Sequence, residues 1–289
     1  MLQDATGTRR LTGNLIDAPS RRFAAGAQSL TSALAATLPE DALRLRTPVT
    51  AVHPHGQGGL VLHTPTGTLR AEHVVLALPP ALALERIDLG DVLPTDLVRL
   101  ARTTPVWMGA VAKVVARYPS ALWRDAGLAG AAFSRTGPLQ EMRDMSGPDG
   151  RPAALFGFAH ARTVRTGFQQ AVTAQLAQLC GPAAASPEAL HVQDWSAERW
   201  TAPSTVQHLA DYSLFAHPLY PRPALDGRLH WASTETATDH AGHIEGARSA
   251  GERAARAVLA ASTGADVSSS SVRTASRSTP RTTVPARHR

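Results

Sequence analysis

Lys113 is the only lysine in the chain; the other cationic side chains are arginine. It lies in Val111-Ala112-Lys113-Val114-Val115-Ala116-Arg117-Tyr118, an apolar, β-branched run that reads as a buried or half-buried strand. An ammonium group is costly to bury, and burial can depress its pKa by roughly 3–5 units. Two readings are open from the strand alone. The ammonium can snorkel to water, or the lysine can be a pocket residue placed for chemistry.

The densest set of polar groups is Trp231-Ala232-Ser233-Thr234-Glu235-Thr236-Ala237-Thr238-Asp239-His240-Ala241-Gly242-His243-Ile244-Glu245-Gly246-Ala247. A strand ending in Thr234-Glu235, then a loop and a helix N-terminus, suits an anionic or polyol cofactor. Amides at the start of a helix attract phosphate or a ring carbonyl oxygen, and Glu235 can accept hydrogen bonds from hydroxyl groups. Gly246 and Ala247 let the helix approach closely. A capped surface helix beside a solvated acidic loop would carry the same residues. His53-x-His55 and His240-x-x-His243 have no matching carboxylate or cysteine set, so exposed loop histidines are expected and no metal site. No Gly-x-Ser-x-Gly elbow or Cys–His constellation stands out.

These residues need elements to hold them. Residues 1–24 are polar and Arg-rich with no clear element, after which Leu30, Leu34 and Leu38 mark an amphipathic helix ending near Pro39. Strands are expected from Leu43 to Val52, Gly59 to His63 and Leu69 to Glu72, forming a meander in which Gly56-Gln57-Gly58-Gly59 is a hairpin turn. Val74 to Leu78 does not alternate and suits a strand buried on both faces, stopped by Pro79-Pro80. From 85 to 200 the texture changes: the Lys113 strand, a Gly-rich stretch, a strand at Ala153 to Phe158, a helix lined by Phe168, Val172, Leu176 and Leu179, and a strand leading into Asp194-Trp195. Leu229 to Ala232 reads as a strand again, and Ala247, Ala250, Ala254 and Val258 define a last helix opening near His243. The order implies an α/β architecture in which one domain is interrupted by another.

The 289 residues, 43% hydrophobic and 18% charged, describe an ordinary globular chain with a sizeable core. The net charge of +6 hints at nucleic acid, yet the stretch from Thr263 onward supplies most of it, through Arg273, Arg277, Arg281, Arg287 and Arg289 against Asp266. That stretch has no periodic apolar residues and is expected to be a disordered basic tail. The body is near neutral, and no specific nucleic-acid role is expected. Cys180 is the single cysteine, which favours a reducing compartment. The longest apolar run is too short to span a bilayer and the N-terminus has no signal-like pattern. A soluble, cytoplasmic protein is the expectation.

Val74-Val75-Leu76-Ala77-Leu78-Pro79-Pro80, Met108-Gly109-Ala110-Val111-Ala112-Lys113 and Ser233-Thr234-Glu235-Thr236-Ala237 occur in that order. With Glu245-Gly246-Ala247 and Ala250-Gly251-Glu252-Arg253-Ala254-Ala255, they closely resemble the flavin-containing amine oxidase family, which includes monoamine oxidases, polyamine oxidases and flavin-dependent histone demethylases. The resemblance covers roughly residues 15–260. It implies that Lys113 holds a water near the flavin N5 and that the backbone of Val49 meets the adenine. Thr234, Glu235, His243 and Ile244 match cofactor-contacting positions. Gly26-Ala27-Gln28-Ser29-Leu30 looks like the start of a cofactor-domain helix, with Ala25-Gly26 in place of Gly-Gly.

Ser233 likewise replaces a glycine before Thr234-Glu235, and three larger departures follow. Where members with a covalent flavin carry a cysteine, this chain reads Ala202-Pro203-Ser204-Thr205, so non-covalent FAD is implied. Thr205 and His243 stand at the substrate-binding positions of the paired tyrosines, whose ring faces orient an amine. The strand, Gly-x-Gly-x-x-Gly turn and helix that bind the FAD pyrophosphate do not occur, so the likeness is to the family's C-terminal portion. The implied layout is a partial FAD-binding region (1–80), a mixed-sheet substrate domain (81–205), a returning FAD-binding region (206–262) and the tail (263–289). The implied reaction is oxidation of an amine C–N bond by hydride transfer to flavin, with O2 as acceptor. The alternative is a non-catalytic remnant, or a subunit that needs a separate dinucleotide-binding partner chain.

Overall fold

The computed structural model describes residues 2–4, 7–9, 23–56, 58–106, 108–147, 149–204 and 213–274. It is a mixed helix-and-sheet fold with two separate hydrophobic cores. The chain opens with a short antiparallel pair, β1 (Leu2–Asp4) and β2 (Gly7–Arg9), where no element was expected. Helix α1 (Gln28–Ala35) follows and buries none of its residues. Next comes the meander β3 (Ala51–Pro54), β4 (Leu60–Thr64) and β5 (Gly67–Ala71), antiparallel throughout. Its first turn lies where expected, with Gly58 and Gly59 both at positive φ. The expected strand over 43–50 does not form. Leu43 and Leu45 are exposed and have no neighbouring strand among the described residues, and Pro48 removes a ladder donor.

Strand β6 (Val74–Leu76) is shorter than expected and is not buried on both faces: Val75 is 42% exposed. Among the described residues β6 pairs only with one later strand, which leaves its other edge open. Two helices follow that periodicity did not signal. α2 (Pro80–Arg86) uses Pro80 in its first turn, where the missing N–H costs nothing. α3 (Thr95–Thr103) turns Leu97, Leu100 and Ala101 inward. The apolar residues from Ala83 to Leu100 pack with the meander, in the same core as Val52, Leu60 and Trp231.

The second core belongs to an antiparallel five-stranded sheet. Its strands are β7 (Val111–Tyr118), β8 (Ala132–Phe133), β9 (Leu139–Asp144), β10 (Ala153–His160) and β11 (Ala189–Asp194), in the order β11-β7-β10-β9-β8. Between β7 and β8 lies the short α4 (Leu122–Asp125), and α5 (Phe168–Cys180) covers one face through Phe168, Val172, Leu176 and Cys180. Alternation in β7 sends Ala112, Val114, Ala116 and Tyr118 into this core and leaves Val111, Lys113 and Val115 on the other face. Gln175 on α5 is buried with its amide fully used: Oε1 accepts from Leu139 N–H, and Nε2 donates to the Thr136 and Leu139 carbonyls.

The chain then returns to the first core. Tyr220 is buried there, 2.6 Å from the Thr104 hydroxyl, and β12 (Leu229–Trp231) pairs in parallel with β6. The last helix, α6 (Ile244–Thr274), starts where expected but continues past Thr263, because extending a helix is far easier than starting one. Residues 275–289 lie outside the described residues. No helix among the described residues is long and apolar enough to cross a membrane.

Asp144 staples α4 to the sheet. Its Oδ2 accepts from Trp123 Nε1 at 2.8 Å and Arg124 Nε at 2.6 Å, and its Oδ1 accepts from Ser146 N–H. Burial pushes the carboxyl up, but the hydrogen bonds from Arg124, Trp123 and Ser146 outweigh it and hold the pKa at about 2. A depressed carboxyl stabilises the fold above its unfolded value of 3.8, and that stability is lost as pH falls towards about 2. Asp144→Asn is expected to cost about 1–3 kcal/mol near neutral pH. Urea unfolding midpoints of the variant and wild type should converge as the pH is lowered through this window.

Candidate functional site

Lys113 stands on β7, the second strand of the five-stranded sheet, on the face opposite α5. Across the ladder it is flanked by Gln193 of β11 and Phe158 of β10, and Glu141 of β9 is next in the row. Phe156 and Phe158 meet edge-on with ring centroids 4.6 Å apart. The Lys113 ammonium lies 5.6 Å from the ring centroid of Trp195, within cation–π range. Burial lowers its pKa from the ordinary lysine value. Trp195 Nε1 is itself buried and has no acceptor among the described residues. The ammonium is therefore half-buried beside the Trp195 ring.

The second constellation is the turn between β12 and α6. The strand ends at Trp231, and Ser233 leads into Thr234–Thr236, one turn of 3₁₀ helix. Glu235 is 2% exposed, and its backbone carbonyl accepts from Ala216 N–H. The Thr234 hydroxyl donates to the His243 carbonyl at 2.9 Å and accepts from Gly242 N–H at 2.8 Å, tying the turn to the segment just before α6. Gly246 makes this approach possible: a Cβ there would lie 2.3 Å from the His240 carbonyl oxygen and 3.0 Å from the Thr234 hydroxyl. His243 and Ile244 are exposed at the helix start, where the first-turn amides have no intrahelical acceptor.

Thr234, Glu235, His243 and Ile244 are thus brought into one turn-and-helix unit. Val49 lies half-buried just before β3, packed on the same core as β12. Lys113 stands on the sheet of the other core, on the face turned away from it. Thr205 lies outside the described residues. Sequence reasoning missed Trp195, Tyr220 and Arg253 as contributors. Trp195 stands two residues beyond the partner of Lys113 on the neighbouring strand, but only the sheet register reveals that. Among the described residues no group of three or more His, Cys, Asp or Glu is placed to hold a metal ion.

The family model described as flavin containing amine oxidoreductase matches residues 4–259. The chain belongs to that family. Its likeness to the flavin-containing amine oxidase B of Sus scrofa is 30% identity over 263 residues, covering 88% of this chain and 50% of the relative. The flavin-containing amine oxidase of Danio rerio is 30% identical over 271 residues, with the same coverage of 88% and 50%. Among solved structures, cyclohexylamine oxidase from Brevibacterium oxydans superposes with a TM-score of 0.70 at 28% identity, over 82% of this chain and 53% of that one. Putrescine oxidase bound to putrescine gives a TM-score of 0.68 at 26% identity, over 81% and 53%. The chain spans about half the length of the curated relatives it matches.

The donor set fits the flavin end of the family's cofactor: a buried acid and a helix N-terminus on one core, an amine among aromatic rings on the other. No Gly-x-Gly-x-x-Gly turn for the pyrophosphate occurs in this chain.

A lysine with a lowered folded pKa destabilises the fold while protonated, and stability rises as pH climbs from the folded value to the unfolded value of 10.5. Lys113→Met removes that cost, so the variant should melt at the same or a higher temperature than wild type at neutral pH. Reductive methylation with ¹³C-formaldehyde gives the sole lysine its own NMR signal. Titrating that signal should show a pKa below the ordinary lysine value.

Proposed function

We propose that this chain carries the flavin-facing and substrate-facing parts of an FAD-dependent amine oxidase, with FAD held non-covalently. The observation that carries this reading is the Lys113 ammonium set half-buried between Phe158 and Trp195, in a chain that also presents the Glu235 turn and the α6 N-terminus. Glu235 and Thr234 would receive the hydroxyl-bearing part of the cofactor, the α6 amides its ring carbonyl edge, and Val49 its adenine side. FAD, when bound, supplies the hydride acceptor for a C–N bond, with O2 as the final oxidant.

This chain's residues do the rest. The rings of Phe156, Phe158 and Trp195 exclude water, and so favour the neutral amine over the ammonium. A lysine with a lowered pKa can hold a water or pass a proton at Nζ. The apolar wall suits an amine with a hydrocarbon body. In domain terms, residues 1–80 and 206–262 serve the cofactor and most of 81–205 the substrate, but α2 and α3 share the meander's core, which favours a crossover after α3 rather than at residue 80. Buried, unpaired Cys180 fits a reducing cytoplasm.

The purified protein is expected to take up FAD and to release peroxide from cyclohexylamine or putrescine. Lys113→Met should slow flavin turnover by about 10²-fold. Unchanged reduction and reoxidation rates would remove Lys113 from the chemistry.

One group of observations favours a second reading, in which a separate dinucleotide-binding chain completes the site. Helix α1 buries nothing, Leu34 is 60% exposed, and Phe23, Leu38, Leu43 and Leu45 are exposed around it. β12 has its outer edge occupied by Ala224 and by Arg253 on the Trp231 carbonyl, whereas β6 has no second neighbour among the described residues. A short helix with no buried face and an open parallel edge both call for a cover. On this reading the chain alone is colourless and self-associates. Co-expression with the N-terminal half of a relative should then give a yellow heterodimer, and a monomeric yellow protein without it would reject the partner.

A further inference from the structure

We infer that Arg253 is the positioning residue for Glu235: its guanidinium ties both ends of the Trp231–Thr236 segment to α6 and so fixes the carboxylate relative to the helix N-terminus. The inference rests on the reading above that the Glu235 turn faces the cofactor. Arg253 Nη2 donates to the Trp231 carbonyl at 2.7 Å and to the Thr236 hydroxyl at 3.3 Å, and Nη1 donates to the Thr236 carbonyl at 3.0 Å. These acceptors lie on either side of Glu235 in the chain. The Thr236 hydroxyl donates its own proton to the Ser233 carbonyl, so it is free to accept from Arg253.

The environment of Arg253 is unlike that of an ordinary helix arginine. Arg248, on the same helix, is exposed and pairs with Glu245 and Glu252. Arg253 is half-buried and forms no ion pair with a carboxylate among the described residues, and burial lowers its pKa. Carbonyl and hydroxyl dipoles of a single turn compensate its desolvation, so the cation and the turn depend on each other. Helical spacing puts it beside Ala250 and Ala254, which are buried, so the guanidinium reaches beneath the turn. Thr234 holds the same turn from its other side, through His243 and Gly242. A lysine could not replace the fork, because one ammonium on a flexible stem does not bridge two fixed carbonyls in the same geometry.

The test uses Arg253→Met, Arg253→Lys and Glu235→Gln in the full chain, with the Arg253→Met/Glu235→Gln double variant. Hydrogen–deuterium exchange is followed by mass spectrometry over 231–237, with β7 and β10 as the reference. Arg253→Met should speed exchange over 231–237 by at least about tenfold, with Arg253→Lys between it and wild type and the reference strands unchanged. FAD titrations, read by quenching of flavin fluorescence, form a double-mutant cycle. Arg253→Met should weaken binding in the wild-type background and add nothing in the Glu235→Gln background. Equal weakening in both backgrounds, or unchanged exchange over 231–237, overturns the inference. If Arg253→Met fails to fold, Arg253→Lys carries both measurements. If wild type takes up no FAD, the cofactor reading fails and the exchange data alone decide whether Arg253 holds the turn.

Discussion

The structure depends most on how closely α6 meets the end of β12. The helix start can lie this near the turn and loop that lead into it only where it presents no side chain, and Gly246 meets that condition: even a methyl group there would overlap the His240 carbonyl. Ala250 and Ala254 extend the small-residue surface along the next turns and are fully buried against the strand end. Once the helix is that close, its first turn, the Thr234 hydroxyl and the Arg253 guanidinium all converge on one short turn of chain. The burial of Glu235 follows from that convergence, since a carboxylate would otherwise remain in water.

The two cores divide the work between them. The first gathers segments far apart in sequence, 52–100 and 214–231, around a parallel strand pair. The second is a continuous stretch that folds on itself as an antiparallel sheet with one helix on its back. The cofactor-side residues stand on the first and Lys113 on the second. The Thr104–Tyr220 hydrogen bond, between groups 116 residues apart, fastens the returning segment to α3, the last helix before the chain leaves the first core. That bond and the β6–β12 pairing set where the returning strand ends, and therefore where Glu235 begins.

Much of this was legible in the chain itself. The β-branched run of β7, the helical spacing in α5 and α6, and the glycines of the first hairpin turn each carry their own geometry, and the structure follows them. Where expectation failed, local pattern and tertiary partner disagreed. Leu43 and Leu45 look like strand residues, but no neighbour pairs with them. Val75 sits in an unbroken apolar run, yet its side chain is partly exposed. Helices α2 and α3 each start at a proline and are too short for periodicity to separate them from loop.

By itself, the sequence determined the family, the strand that holds Lys113, the hairpin turn and the strand–turn–helix around Glu235. Each of these is encoded in adjacent or regularly spaced residues. Only the tertiary structure decided which side chains surround them. Trp195 beside Lys113 depends on strand register, and the Arg253 fork under Glu235 depends on how a helix lies against a strand end. The reason is physical: burial and hydrogen bonding between distant segments are set by how close two backbones come, and no local spacing records that distance.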